Sequence, residues 1–367
     1  FINQRIKFIM AYTTINKSSE HFNTKLYTGN ESTNAITGVG HQPDFVWMKN
    51  RDSAYYHGLY DSVRGTGTSK SLYSNANEAE GTNTGNLNLA SFDSDGFTLG
   101  ATSSTNIINK SSQNHVAWNW KANGAGSANT DGSINSTVSV NTTSGFSIVK
   151  YTGTGSNATV GHGLGVAPSM IIFKRLVGSG WNWTVYHKSM GNNYFMSLNL
   201  ANAKSNTSSS TYFQDTTPTS SVFSIGDSGH LNGDDIIAYC FADVQGYSKF
   251  GRFTANGSTD NAFVYTGFKP AFVMMKCDNV TDGWSKWYMF DTARSPENMN
   301  VKELEANTTA VESSSGADYA QIDMLSNGFK LRNGSAWGPA SNGNTSVYMA
   351  FAEAPLVGSN NVPCTAR

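Results

Sequence analysis

Charge is the scarcest property of this 367-residue chain. Only 14% of its residues are Asp, Glu, Lys or Arg, and 25 basic against 26 acidic side chains leave a net charge of −1. An ordinary soluble domain carries about 25%. Nucleic-acid affinity needs clustered Lys and Arg, so this balance argues against a nucleic-acid partner. Cysteine is almost as rare. Cys240, Cys277 and Cys364 are too few and too scattered for a disulfide framework or a zinc site. Cys240, inside the strand-like IIAYCFA, reads as a small buried hydrophobe. No apolar run approaches the ~20 residues that span a bilayer, so no membrane insertion is expected. Helical periodicity is missing almost everywhere, with one or two turns over 300–307 as the exception. The first ten residues are apolar and basic but lack a long hydrophobic stretch and a small-residue cleavage site. The true start is expected at Met10, with FINQRIKFI as upstream translation or an uncut leader.

What is present instead is Ser, Thr, Asn, 36 Gly and 12% aromatics. So many aromatics argue against disorder. The length allows two to four domains at ~100–200 residues each. An internal repeat divides it further. Pro43-Asp-Phe-Val-Trp-Met-Lys49, Pro168-Ser-Met-Ile-Ile-Phe-Lys174 and Pro270-Ala-Phe-Val-Met-Met-Lys276 share one pattern. Before each Pro comes an aromatic-Thr turn, at Tyr27-Thr28, Tyr151-Thr152 and Phe253-Thr254. After each Lys comes an aromatic strand closed by a polar residue: Tyr60-Asp61, Tyr186-His187, Phe290-Asp291. A Leu shortly before an Asn follows (Leu72/Asn75, Leu198/Asn202, Leu304/Asn307), then a turn and strand around Phe97, Phe223 and Phe329. The last strands are Val116–Trp120, Ile237–Phe241 and Met349–Glu353. These landmarks, in one order three times, indicate tandem units of short strands punctuated by turns.

The fold expected is all-β: three β-sandwich units in a row, jelly-roll or lectin-like. Their boundaries read as 25–122, 146–245 and 246–356, after an N-terminal segment 1–24 and before a tail 357–367. A Gly/Ser/Asn/Thr-rich linker covers 123–145, within which 134–140 alternates like an edge strand. Any hinge is expected between the first two units. Residues two apart share a strand face, so Trp118 and Trp120 point one way, as do Tyr239 and Phe241. The runs after each Pro read as strands buried on both faces.

Catalytic and metal chemistry finds little support. Gly226-Asp227-Ser228-Gly229 resembles the nucleophile turn of trypsin-like proteases, but no matching His-bearing segment precedes it. The seven His residues are dispersed, and Asp93-Ser-Asp95-Gly96 is too short for an EF-hand loop. The glycine-rich 153–165 opens no helix and so makes no phosphate cradle. No metal, no cofactor and no catalytic residue is assigned. Asp61, His187 and Asp291, sharing one slot, are expected to satisfy backbone donors. Aromatics in polar loops remain, and Tyr55, Tyr56, Trp181, Tyr212, Trp284 and Trp337 are the candidate ligand-binding residues.

The segments YTGTGSNATVGHGLGVAP (151–168), IAYCFADVQGYSKFG (237–251), FVYTGFKPAFVMMK (263–276), MFDTAR (289–294), SNGFKLR (326–332) and YMAFAEAP (348–355) resemble a repeat unit widespread in predicted virion proteins of marine tailed phages. MAYTTINKSSEHFNTKLYTGN (10–30) resembles the start of those proteins. The resemblance implies a structural or tail-fibre-like component and carries over no catalytic residue. The expected function is a phage tail-fibre or receptor-binding protein on the virion surface, made in the host cytoplasm without a signal peptide. It would recognise a host-surface glycan or envelope receptor without catalysis. Other virion proteins and further copies of itself, a trimer by analogy with fibres, are the expected partners. A capsid-decoration or neck-and-tail component, and a polysaccharide depolymerase, are the alternatives.

Overall fold

The apolar run after each repeated proline becomes a strand with every side chain except Arg175 buried: Phe45–Asn50, Met170–Arg175, and Phe272 to Cys277 within Phe268–Cys277. A strand covered on both faces needs an apolar layer on each side, which explains the lack of alternation in these runs. This computed structural model describes residues 12–82, 85–102, 106–206, 209–313, 320–333 and 337–357.

The architecture is all-β, with antiparallel sheets. Three larger sheets have related orders. The first runs Phe22–Thr28, Asn114–Trp120, Phe45–Asn50, Gly58–Asp61. The third runs Ser248–Thr254, Thr345–Pro355, Phe268–Cys277, Tyr288–Asp291, Leu304–Glu305. The second repeats that order with Phe146–Thr152, Asp235–Phe241, Met170–Arg175, Thr184–His187 and Met196–Ser197, and adds Ser136–Asn141 and Ser127–Asn129 beyond Phe146–Thr152. Register coincides as well. Phe45 lies opposite Trp120 and Asp61, Met170 opposite Phe241 and His187, and Phe272 opposite Phe351 and Asp291. Each of these residues stands two after its proline. A smaller sheet of two or three strands covers one face of each large one.

Alternation along the strands sorts side chains into two kinds of core. Val46, Met48 and Ala117 face the first small sheet, Ile171, Phe173 and Cys240 the second, Val273, Met275 and Ala350 the third. The intervening residues, Phe45, Trp118, Trp120, Met170, Ile172, Tyr239, Phe241, Phe272, Met274 and Phe351 among them, form one core shared by all three large sheets. Trp120 touches Phe45, Phe241, Phe272 and Phe351, with ring centroids 5.3 to 6.2 Å apart. The units are therefore not in a row: each meets both others around a common centre. The face-sharing expected of Trp118 with Trp120, and of Tyr239 with Phe241, is what carries them there.

Two rings of hydrogen bonds close this arrangement. In one, Tyr239 Oη donates to Asp61 Oδ2 (2.8 Å), Trp118 Nε1 to Asp291 Oδ2 (3.0 Å), and His187 Nε2 to the Tyr348 carbonyl (3.2 Å). Each step joins a different pair of units. In the other, Trp183 Nε1 donates to the Tyr73 carbonyl (2.8 Å) and Trp287 Nε1 to the Ser197 carbonyl (3.0 Å). His57 occupies the same slot in the first unit. Its Nδ1 accepts from Trp47 Nε1, so Nε2 carries the proton and donates to the Glu305 carbonyl (3.0 Å). Asp61, His187 and Asp291 also cap local backbone, accepting from Arg64, Ser189 and Arg294 N–H.

Two expectations are corrected. The alternating stretch 134–140 does form a strand, Ser136–Asn141, which pairs with Phe146–Thr152, but the residues before it are not a loose linker: Ser127–Asn129 pairs in turn with Ser136–Asn141. The polar composition suits a sheet edge as well as a tether, and the free edge of Phe146–Thr152 decides between them. Over 300–307 there is no helix but the short strand Leu304–Glu305.

The repeated Asn has a defined task. Asn75 and Asn307 accept the backbone N–H of His57 and Trp287 (3.0 and 2.9 Å). In the second unit this falls to Asn199, which accepts Trp183 N–H at 3.1 Å, and not to the exposed Asn202. Asn199→Ala orphans a buried donor and is expected to cost ~1–3 kcal/mol, whereas Asn202→Ala stays within ~0.5. Chemical denaturation of the two variants checks this; equal losses would refute the assignment.

Candidate ligand-binding surface

On the second unit two short helices, Ser209–Phe213 and Gly229–Asn232, lie beside the chain between strands Met170–Arg175 and Thr184–His187. They bring four rings into a row. Trp181 meets His230 edge-on at 5.0 Å between centroids, His230 meets Tyr212 at 5.7 Å, and Tyr212 stacks on Phe195 at 4.0 Å with 15° between planes. All four rings are half-buried.

Each ring is held by its neighbours. Lys174 Nζ donates to the Trp181 carbonyl (2.6 Å), and the Arg175 guanidinium lies 4.2 Å from the Trp181 ring centroid. Arg175 is itself fixed by the Gly229 carbonyl (2.9 Å) and by Asp234. Gly229 permits the approach: a Cβ there would stand 2.9 Å from Trp181 Cη2. Ser228 caps the Gly229–Asn232 helix by accepting His230 N–H. Asn182 presents its carbonyl to His230 Nδ1 at 3.4 Å, and its side-chain oxygen accepts from Asn199 Nδ2 at 2.8 Å. Burial, joined by the Lys174 and Arg175 charges, pushes the His230 pKa down, so the ring is neutral at physiological pH. Burial pushes the Tyr212 phenol up. The four rings are thus uncharged, with the Arg175 cation over the face of Trp181 and amides beside the row. At its far end the Lys204 ammonium lies 4.8 Å from the Tyr194 ring centroid.

Of the six candidates read from the sequence, Trp181 and Tyr212 come together here, joined through His230. Trp284 is 48% exposed but stands apart, on the third unit. Tyr55 and Tyr56 are half-buried against the first unit's core. Trp337 is corrected. It is 1% exposed and packs on Tyr288 (5.1 Å) and Phe290 (6.1 Å), because the turn Gly338–Ala340 that follows it is itself buried in the third unit's core. His230 and Phe195 were missed. Neither has a local signal beyond its unit's departure from the other two, since the short helices that align them have no helical periodicity.

The remaining motifs resolve as structure. The Gly226–Gly229 turn carries the helix cap just described. Asp95 accepts Gly38 and Gly40 N–H (3.0 and 2.6 Å), and Asp93 accepts the Ser91 and Thr98 hydroxyls (both 2.7 Å). Among the described residues no group of three or more His, Cys, Asp or Glu is placed to hold a metal, and no helix is long and apolar enough to cross a membrane. A family described as Domain of unknown function (DUF7483) matches residues 17–355. No curated protein and no solved structure matches the chain.

Proposed function

The chain belongs to the DUF7483 family, and within it we propose a non-catalytic glycan-binding protein of the phage virion surface, acting in host recognition. One observation carries this reading: the row Trp181, His230, Tyr212, Phe195, half-buried and uncharged. A pyranose presents an apolar C–H face that an aromatic ring covers, while its hydroxyls need amide and guanidinium partners at the rim. Asn182 and Arg175 supply groups of that kind beside the rings. The virion setting rests on the resemblance of the repeat segments to phage virion proteins. A shared core suits such a role, because a platform of aromatic rings binds best when no ordering remains to be done on contact.

The test is titration with a panel of bacterial capsular and O-antigen polysaccharides, read by tryptophan fluorescence. Saturable binding is expected, weakened at least ~10-fold (~1.4 kcal/mol) by Trp181→Ala or by Tyr212→Ala. Trp284→Ala should leave it unchanged. Binding that survives both substitutions would place the site elsewhere. A well-folded protein that binds none of the panel but attaches to virions lacking it would favour the structural-component reading.

A further inference from the structure

The three small sheets present the same strand edge, and the chain treats it differently each time. In the second unit the edge strand is Ala158–Gly161. Val160 pairs inward with Phe223, so the backbone groups of Thr159 and Gly161 point outward. Residues 133–136 satisfy three of them. Ile134 N–H donates to the Thr159 carbonyl (3.0 Å), Ser133 Oγ accepts Thr159 N–H (2.9 Å), and Ser136 Oγ donates to the Gly161 carbonyl (2.9 Å). Ile134 makes a parallel bridge to Val160 and joins that unit's core.

In the third unit the equivalent strand is Phe263–Tyr265. Val264 pairs inward with Phe329, as Val160 does with Phe223. Ala262 O and Thr266 N–H also bond inward, to Leu331 and Asn327, so the N–H and C=O of Phe263 and Tyr265 are the outward ones. Among the described residues nothing pairs with this edge. Its two outward-facing side chains are aromatic, 47% and 54% exposed. The corresponding residues are Thr159 and Gly161 in the second unit and Ala35 and Thr37 in the first. An open edge bearing large apolar side chains is what a protein ordinarily avoids unless something lies on it.

We propose that the Phe263–Tyr265 edge accepts an extended peptide strand from a different protein, not a second copy of this chain, added to the small sheet as residues 133–136 add to the edge of the second unit. The occupant has the chemistry of its internal counterpart: an uncharged Ser/Asn-type segment with one aliphatic residue beside Val264. Its main chain bonds Phe263 and Tyr265, and its flanking side chains cover their rings.

The probe is a fluorescent peptide of residues 131–138, Asp-Gly-Ser-Ile-Asn-Ser-Thr-Val, titrated by anisotropy against the full chain. Saturable binding is expected, with slowed hydrogen exchange at the Phe263 and Tyr265 amides. Tyr265→Pro removes one outward N–H while sparing the inward ladder, and should weaken binding at least tenfold. Methylating the isoleucine amide of the peptide should do the same and needs no protein variant. No binding at millimolar peptide overturns the proposal, as does binding indifferent to both changes. Concentration-dependent dimerisation lost in Tyr265→Pro would assign the edge to a second copy and overturn it equally.

Discussion

Replacing Arg294 by methionine is expected to destabilise the protein by about 3–5 kcal/mol, although the residue lies far from the aromatic row. Arg294 is 2% exposed. Its Nε bonds Asp291 Oδ2 at 2.5 Å, its Nη1 reaches Glu312 at 3.2 Å, and its Nη2 donates to the Met289 carbonyl at 2.9 Å. Removing the guanidinium leaves the Asp291 carboxylate buried beside Trp118 with its charge uncompensated. A lone buried charge costs far more than a well-paired one contributes. The double substitution Asp291→Leu with Arg294→Met removes both charges and should recover part of the loss. The exposed Lys17–Glu20 pair, at 3.3 Å, is the control: Lys17→Met should change stability by under ~1 kcal/mol. Denaturant titrations decide it. An Arg294→Met loss no larger than that of Lys17→Met would mean that the ring between units bears no weight.

The second large effect needs no mutation. Lys49, Lys174 and Lys276, the lysines that close the three repeated runs, are 0–1% exposed. Each donates to a loop carbonyl: Lys49 to Ser53 (3.3 Å) as well as to Asn50 (2.7 Å), Lys174 to Trp181, Lys276 to Ser285. Desolvation lowers their pKa values to about 7, about 8 and about 7. Between these values and the ordinary lysine pKa the unfolded chain holds protons that the folded protein has released, so stability rises with pH. From pH 7 to 8.5 the gain is on the order of 4 kcal/mol, or roughly 5 °C in Tm for a chain this long. Buried Cys240 and Cys277, whose pKa values are raised, begin to oppose it near the top of that window. On the acid side His41, His115 and His187 are lowered to about 4, each chiefly by burial. A depressed histidine makes the folded state bind fewer protons between pH 6.5 and 4, so stability falls as the solution is acidified through that range. Glu303, raised to about 7 by burial and by Glu305, and Asp44, raised by burial, act the other way but are two groups against seven lowered histidines. Tm is therefore expected to climb steadily from pH 5 to 8.5. The slope above pH 7 should shrink in Lys276→Met, and a flat profile would show that these lysines stay charged when folded.

Much of the fold was legible because it is written in short-range chemistry. The double-faced burial of the central strands followed from unbroken apolar runs. The pairing of Trp118 with Trp120 followed from a period of two. Asp61, His187 and Asp291 were recognisable as backbone caps because a polar residue closes the same strand three times. What periodicity cannot encode is which of two apolar faces meets a neighbouring unit. Phe45 and Val46 are equally apolar, yet one enters the core common to all three units and the other stays within its own. The conversion of residues 127–129 from tether to strand depended on a free sheet edge, which exists only once Phe146–Thr152 and Ser136–Asn141 are in place.

The same division holds for the sites. Sequence alone determined an all-β chain of repeated strand patterns, low in charge, with loop aromatics as the residues to watch, because composition and strand period are local properties. Only the tertiary structure decided that Trp337 is core, that His230 and Phe195 complete a row with Trp181 and Tyr212, and that three sheets close around one centre. Those outcomes depend on which surfaces remain after every sheet has buried both of its faces, and that is settled by packing among residues more than a hundred positions apart.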